Sequence, residues 1–443
     1  MPSLKTPSFD LLASLGTRFT RAIVPAPLCK PSRTHFAAGL NYPHAGVKTP
    51  SKRDAMYPGL TTFYEELKSK GIHTMTAGKD DLTLLKKDLS NEFAQEARCY
   101  GKDVVTNVVK PVDPYMKMLQ QKGLFDRYRT EEMRLCHYVE GIAVRQYTCD
   151  MPAALDDDDF IDDWIAEKAR RLIDSAPIDQ PYFIQVNYAG PHPPFIVTRG
   201  MVGNGTGLER EWPLAHRSAT LNAEAQQVMR SRYATLIEHI EGLNLGILET
   251  IAARGDLNRT YICMFSDHGE MLGDFWDNSS LYEPLQKNAP WQASIAVPLA
   301  CMGPGIPAGR VVDDPVSILD LASTILEWQN TSVPPHYEAV SIRELMEGGS
   351  PHSRPALSTL EYEDHVFSTA QRRFDDGRVY KAVCCVGACP FGRDVREGSV
   401  VPTTGWVRHL FDLTADPWED NDLILSHNSN ASSVYQELAD SLV

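Results

Sequence analysis

The chain has 443 residues, of which 43% are hydrophobic, and carries a formal net charge of -15. That length and apolar content suffice for one large domain or two ordinary ones, and no run of about 18 apolar residues is present to span a membrane. The negative charge argues against nonspecific binding to nucleic acid or anionic membrane, and any anion site must be a focused cluster of cations.

In chain order, "TPSFDLLASLGTRF" places Phe9, Leu12 and Leu15 on one helical face with Gly16 as the stop. The leading "MPSLKTPSFDLLASLG" lacks the basic region and apolar run of an export signal. "GLTTFYEELKSKG" repeats the helical plan and leads into the short apolar strand "IHTMTAGK". "DDWIAEKARRLIDSA" precedes "PYFIQVNYAGPHPPF", and "VMRSRYATLIEHIEGLNLGILETIAARG" precedes "TYICMFSDHGE". Helix followed by buried strand predicts an α/β fold with a mostly parallel sheet. From about residue 352, "ALSTLEY", "VYKAVCCV" and "WVRHLFDL" predict a small antiparallel α+β subdomain, dividing the chain into 1–351 and 352–443. "ALDDDDFIDDW" lacks calcium-loop spacing and reads as an acidic approach to a helix N-terminus.

Nine cysteines, at 29, 99, 136, 149, 263, 301, 384, 385 and 389, show no paired CxxC spacing. They are expected to be mostly buried thiols, although "CCVGAC" would hold a local disulfide in a secreted protein.

In an open parallel sheet, ligands bind at the carboxyl ends of strands, so "GKDDL", "GPHPP" and "SDHGE" are expected to converge on one crevice. Asp267 and His268 present a carboxylate and an imidazole to a divalent cation, and His192 is held on a stiff proline loop. Each is weak alone. In company, Arg33, Lys79, His192 and Lys287 form a set able to neutralise one oxyanion.

"LCKPSRTHFAAGLNYPHAGV" resembles the sulfatase signature, built on C-x-P-S-R. "TAGK", "QVNYAGPHPPF", "FSDHGEMLGD", "ASIAVPLACMGPGI" and "LFDLTADPWEDNDL" follow in the order of that family, across nearly the whole chain. The resemblance implies the alkaline-phosphatase-like α/β fold. It also implies conversion of Cys29 to formylglycine by a formylglycine-generating enzyme, and attack by the hydrated aldehyde on a sulfate monoester of a small molecule or saccharide. By the same resemblance, Cys29, Asp267 and His268 ligate a divalent metal, calcium first and magnesium or manganese as alternatives. Arg33 braces the aldehyde hydrate, Lys79 and Lys287 bind sulfate oxygens, and His192 assists the leaving alcohol. Relatives that hydrolyse phosphonate monoesters or phosphodiesters share the SDHGE form, which leaves them as the enzymatic alternative.

The pattern departs from the family in two places. Members usually open with a strand bearing adjacent aspartates, whereas this chain starts at the following helix, so two carboxylate ligands and a central strand are expected to be missing. An N-terminally incomplete active enzyme is the favoured explanation, with a catalytically impaired sulfatase-like protein as the other. "GKDDL" also replaces a "GKWHL"-type sequence and removes a usual histidine.

Overall fold

The computed structural model describes residues 4–48, 56–79, 95–99, 110–129, 153, 155–202, 210–218, 223–275, 287–350, 354–362, 365–387, 403–426 and 428–442. Helix α1 (Pro7–Leu15) opens on a proline, tolerated there because the first-turn N–H groups have no intrahelical partner. It ends at Gly16, where a Cβ would lie 2.2 Å from the Cys301 carbonyl oxygen, so only glycine lets the chain turn at once into β1 (Thr17–Ile23). After α2 (Cys29–Ala38), a capping box between Thr62 and Glu65 starts α3 (Phe63–Ser69), which leads into β2 (His73–Lys79).

Strand β2 pairs in parallel with β3 (Gln95–Cys99) and β4 (Tyr182–Asn187). Helices α4 (Pro114–Gln121), α5 (Phe125–Arg127) and α6 (Ile161–Ser175) pack around this sheet. The long α7 (Ala223–Ala253) crosses α6 and α1 and is followed by β5 (Ile262–Phe265). Next come α8 (Gln292–Ile295), β6 (Ala296–Met302), β7 (Arg310–Val312) and β8 (Val316–Ser317). They complete a second sheet of order β5-β6-β1-β7, with β8 also on β1. The parallel expectation holds for β2, β3 and β4 and for β1 with β7 and β8, whereas β6 runs antiparallel to both its neighbours.

β4 and β5 are edge strands of different sheets, yet they feed the same two core layers. Phe183, Cys263 and Phe265 pack on a cluster containing Phe36, Phe63, Leu299 and Leu326, which α2, α3 and α9 (Asp320–Trp328) cover. Ile184, Val186 and Ile262 face the opposite cluster of Met116, Ile165, Ile173 and Ile251. The two sheets are therefore sandwiched by common helical layers, as an α/β arrangement requires.

Beyond α10 (Arg343–Met346) lies an antiparallel sheet of β9 (Ala356–Tyr362), β10 (His365–Arg373), β11 (Val379–Gly387) and β12 (Thr403–Asp412). Helix α11 (Ala431–Ala439) covers one face through Tyr435 and Leu438. The other face presents Phe367, Val383 and Phe411 to Leu28, Met271 and Trp291, the neighbours of the site described below. The boundary expected between 351 and 352 falls outside the described residues.

The cysteine expectation is corrected. Cys263 and Cys301 face each other across β5 and β6, with Cα atoms 4.2 Å apart, and form a disulfide rather than two buried thiols. Cys385 is also disulfide-bonded, whereas Cys29 and Cys384 are free.

Candidate active site

Cys29 is the first residue of α2, and Arg33 lies one turn on, where a spacing of four puts both side chains on one helix face. Pro31 fits between them because the first turn has no backbone N–H bond to lose. The helix N-terminus adds positive potential at Cys29 and favours an anionic group there. The sequence CKPSR is thus a helix start that aims a small buried side chain and an arginine at one place.

The strand ends complete the constellation. Cys29 Sγ lies 3.1 Å from His268 Nε2 and 3.9 Å from the Lys79 ammonium. Arg33 donates through Nε to Asp267 Oδ2 at 2.7 Å, and through Nη1 to Asn187 Oδ1 at 3.1 Å and the Lys79 carbonyl at 3.4 Å. One guanidinium therefore ties together the carboxyl ends of β2, β4 and β5. The expected convergence of strand ends is present, and all six predicted companions of Cys29 (Arg33, Lys79, His192, Asp267, His268 and Lys287) couple to it or to its immediate neighbours.

Charge sets the protonation states. Burial opposes ionisation of Cys29, but Lys287, then Lys79 and His268, outweigh it and hold the thiol well below its usual range. Asp267 resists the upward push of burial through Arg33 above all and stays well below the usual carboxylate range. Lys287 is 3% exposed; burial pushes it down, but Cys29 and Glu270 more than compensate and keep it cationic. His192 is pushed down to about 3 by burial and then by Lys79 and Lys287. Its Nδ1 donates to the Pro193 carbonyl at 2.7 Å, which fixes the tautomer and leaves Nε2 as the acceptor.

Three contributors escaped sequence reasoning. Asn187 follows an apolar strand and looks like any strand-end amide; its role appears only through Arg33. Glu270 belongs to the SDHGE motif, yet only the fold shows that its Oε1 is buried with no hydrogen-bond partner and that burial pushes its carboxyl well above the usual range, against Lys287. Asp162 sits in the acidic run read as a helix approach, and it does lie in the first turn of α6. Its carboxylate also accepts the Ala189 N–H at 2.7 Å and the Gly190 N–H at 3.0 Å, which anchors the loop carrying His192. Asp80 and Asp81 lie outside the described residues, as do parts of the two loops expected to line a substrate pocket.

Ligand atoms of Cys29, Asp267 and His268 all lie within 4.8 Å of one another, a spacing suited to one metal ion. One carboxylate and one imidazole fit part of a divalent shell. A hard cation takes about six to eight ligands, mostly oxygens, and among the described residues only this trio forms such a group.

A family model described as Sulfatase matches residues 1–331. The chain is 24% identical over 439 residues to an ulvan-active sulfatase of Formosa agariphila, covering 96% of this chain and 73% of that protein. It is 22% identical over 384 residues to an arylsulfatase of Clostridium perfringens, covering 78% of this chain and 74% of the relative. Its fold is similar to that of a phosphonate monoester hydrolase of Agrobacterium radiobacter, with a TM-score of 0.75 at 18% identity over 99% of this chain and 90% of the other. A structure solved in complex with its substrate D-glucosamine-2-N,6-O-disulfate is similar too, with a TM-score of 0.72 at 14% identity over 99% and 92%. At such identities the solved structures speak to fold alone. The family match spans most of the chain and includes Cys29, Lys79, His192 and the Asp267–His268 pair, and the chain therefore belongs to the sulfatase family.

Proposed function

We propose that the chain hydrolyses a sulfate monoester to an alcohol and sulfate, with residues 1–351 as the catalytic unit and 352–443 as a C-terminal subdomain. The observation that carries this reading is the concentration of Lys79, Lys287, Arg33 and His268 around Cys29 in a protein of net charge -15. Such a cluster stabilises an oxyanion that the rest of the molecule repels.

Formylglycine at position 29 would supply, as its hydrate, a nucleophilic hydroxyl beside a second, ionisable one. A divalent ion would be held by Asp267, His268 and residue 29 and would supply Lewis-acid polarisation. Cys29 is 8% exposed within α2, so a formylglycine-generating enzyme would have to act before this helix packs.

The chain's own residues do the following. Lys79 and Lys287 hold the sulfate oxygens, and Lys287 keeps its charge through Cys29 and Glu270. Arg33 keeps Asp267 ionised and fixes Asn187, so the strand ends do not drift apart. His192 is neutral before substrate arrives and interacts with Cys29, so it begins as a proton acceptor or hydrogen-bond partner rather than as a stored acid.

A second reading, binding without turnover, is favoured by one observation: a single carboxylate, Asp267, belongs to the metal-binding trio among the described residues. Two measurements decide. Peptide mass analysis across Cys29 from the native host should show thiol-to-aldehyde conversion, and an unmodified Cys29 overturns the nucleophile. Purified protein should turn over an aryl sulfate faster than a phosphonate monoester. Turnover of the phosphorus ester alone moves the assignment to phosphonate hydrolysis, and turnover of neither supports the binding role.

A further inference from the structure

Lys381 on β11 and Glu419 in the turn after β12 form an ion pair with side chains 0% and 1% exposed. A buried pair of this kind is weak evidence for stability, because well-packed apolar replacements are often as stable. Its remaining bonds run to one segment. Lys381 Nζ also donates to the Pro290 carbonyl, and Glu419 Oε2 accepts the Gln292 N–H at 2.7 Å. The Gln292 side chain exchanges two hydrogen bonds with Gln371, the cross-strand neighbour of Lys381. Trp291 stacks on Phe275 at 3.9 Å.

That segment begins at Lys287. The Asn288 N–H bonds to the Pro27 carbonyl at 3.2 Å, two residues before Cys29, and Gly269 N–H, next to His268, bonds to Ser294 at 2.8 Å. Residues 288–294 thus form a strap that touches the Cys29 turn and the Asp267–His268 turn and is held from behind by the C-terminal sheet.

We propose that Lys381 and Glu419 are positioning residues for Lys287: by fixing the main chain at Pro290 and Gln292, they set where its ammonium meets the oxyanion over position 29. The inference rests on Lys287 being an oxyanion-binding group. A displacement of about 1 Å is enough to spoil such a contact.

The test is inorganic sulfate binding by calorimetry to the full chain, comparing Lys287→Met, Glu419→Gln, the apolar double replacement Lys381→Met with Glu419→Leu, and Lys287→Met combined with that double. The apolar pair guards against a variant that fails to fold, and its melting temperature verifies this. Lys287→Met and the pair variants should each weaken sulfate on the order of tenfold, with the combination no weaker than the worst of them, because groups in one network are not additive. Hydrogen exchange in a peptide spanning 288–294 should rise in the pair variants. Folded pair variants with native sulfate affinity, or losses that simply add to that of Lys287→Met, overturn the positioning role and leave the site reading intact. Native affinity in Lys287→Met overturns both.

Discussion

Lys381 and Lys287 are both buried lysines in one acidic protein, and they stand in opposite settings. Lys381 is closed off by Glu419 and the Pro290 carbonyl, so its charge is satisfied inside the fold. Lys287 is 3% exposed and shares its surroundings with Lys79, the Cys29 thiol and the Glu270 carboxyl, which burial holds toward its neutral form. Burial alone therefore does not mark a functional lysine. What separates the two is whether the ammonium is enclosed by its own hydrogen-bonded partners, as Lys381 is, or shares its anionic neighbours with a second cation, as Lys287 does with Lys79.

The comparison breaks most sharply at Lys381. Replacing it alone by Met strands the Glu419 carboxylate and should destabilise the fold by about 3–5 kcal/mol in denaturant titration. Lys287→Met should lower the unfolding midpoint less than Lys381→Met does, because the Cys29 and Glu270 groups that face Lys287 can take up a proton once the cation is gone, while kcat/KM falls about 100- to 1,000-fold. Equal stability losses at the two sites would erase the distinction.

A third test concerns a buried group on the same helix as Cys29. His35 is 1% exposed, its Nε2 is 3.0 Å from the Val47 carbonyl, and burial pushes its pKa down to about 4. The unfolded chain binds that proton near pH 6.5, so between these values it holds more protons than the folded state and stability rises with pH. The contribution, about 3 kcal/mol, is present in full above pH 6.5 and lost as pH falls toward about 4. Replacement by Gln should flatten the stability profile across that window.

The smallest expected effect is at Asp162. Asn keeps one acceptor for the Ala189 and Gly190 N–H groups but loses the charge, which should cost about 1–2 kcal/mol of loop anchoring and reduce kcat roughly tenfold through His192. An unchanged kcat would show that the loop holds His192 without the Asp162 charge.

Much of this was readable before folding. Helix-then-strand texture located α3 with β2, α6 with β4 and α7 with β5, because amphipathic period and strand apolarity are local properties of the chain. β1 was not separated from the helix before it: its two arginines, Arg18 and Arg21, mask a strand that carries Phe19, Ala22 and Ile23 into the core. β10 was missed similarly, since "HVFSTAQRR" hides Phe367 and Ala370 among polar residues. β6 running against its neighbours also had no local signal, as strand direction is a property of pairing.

By itself the sequence determined the identities at the centre: the C-x-P-S-R motif that sets Cys29 four residues before Arg33, a spacing the fold turns into one helix face, and the strand ends that deliver Lys79, His192, Asp267 and His268. Spacing along a helix and emergence at a strand end are fixed within a few residues, so they survive without coordinates. Only the tertiary structure decided that Arg33 clamps three strands, that Asp162 and Glu270 belong to the site, and that Lys381 and Glu419 brace the Lys287 strap. The hydrogen bonds among them join residues 27 to 234 positions apart, and their strength comes from burial, which exists only once the layers have closed.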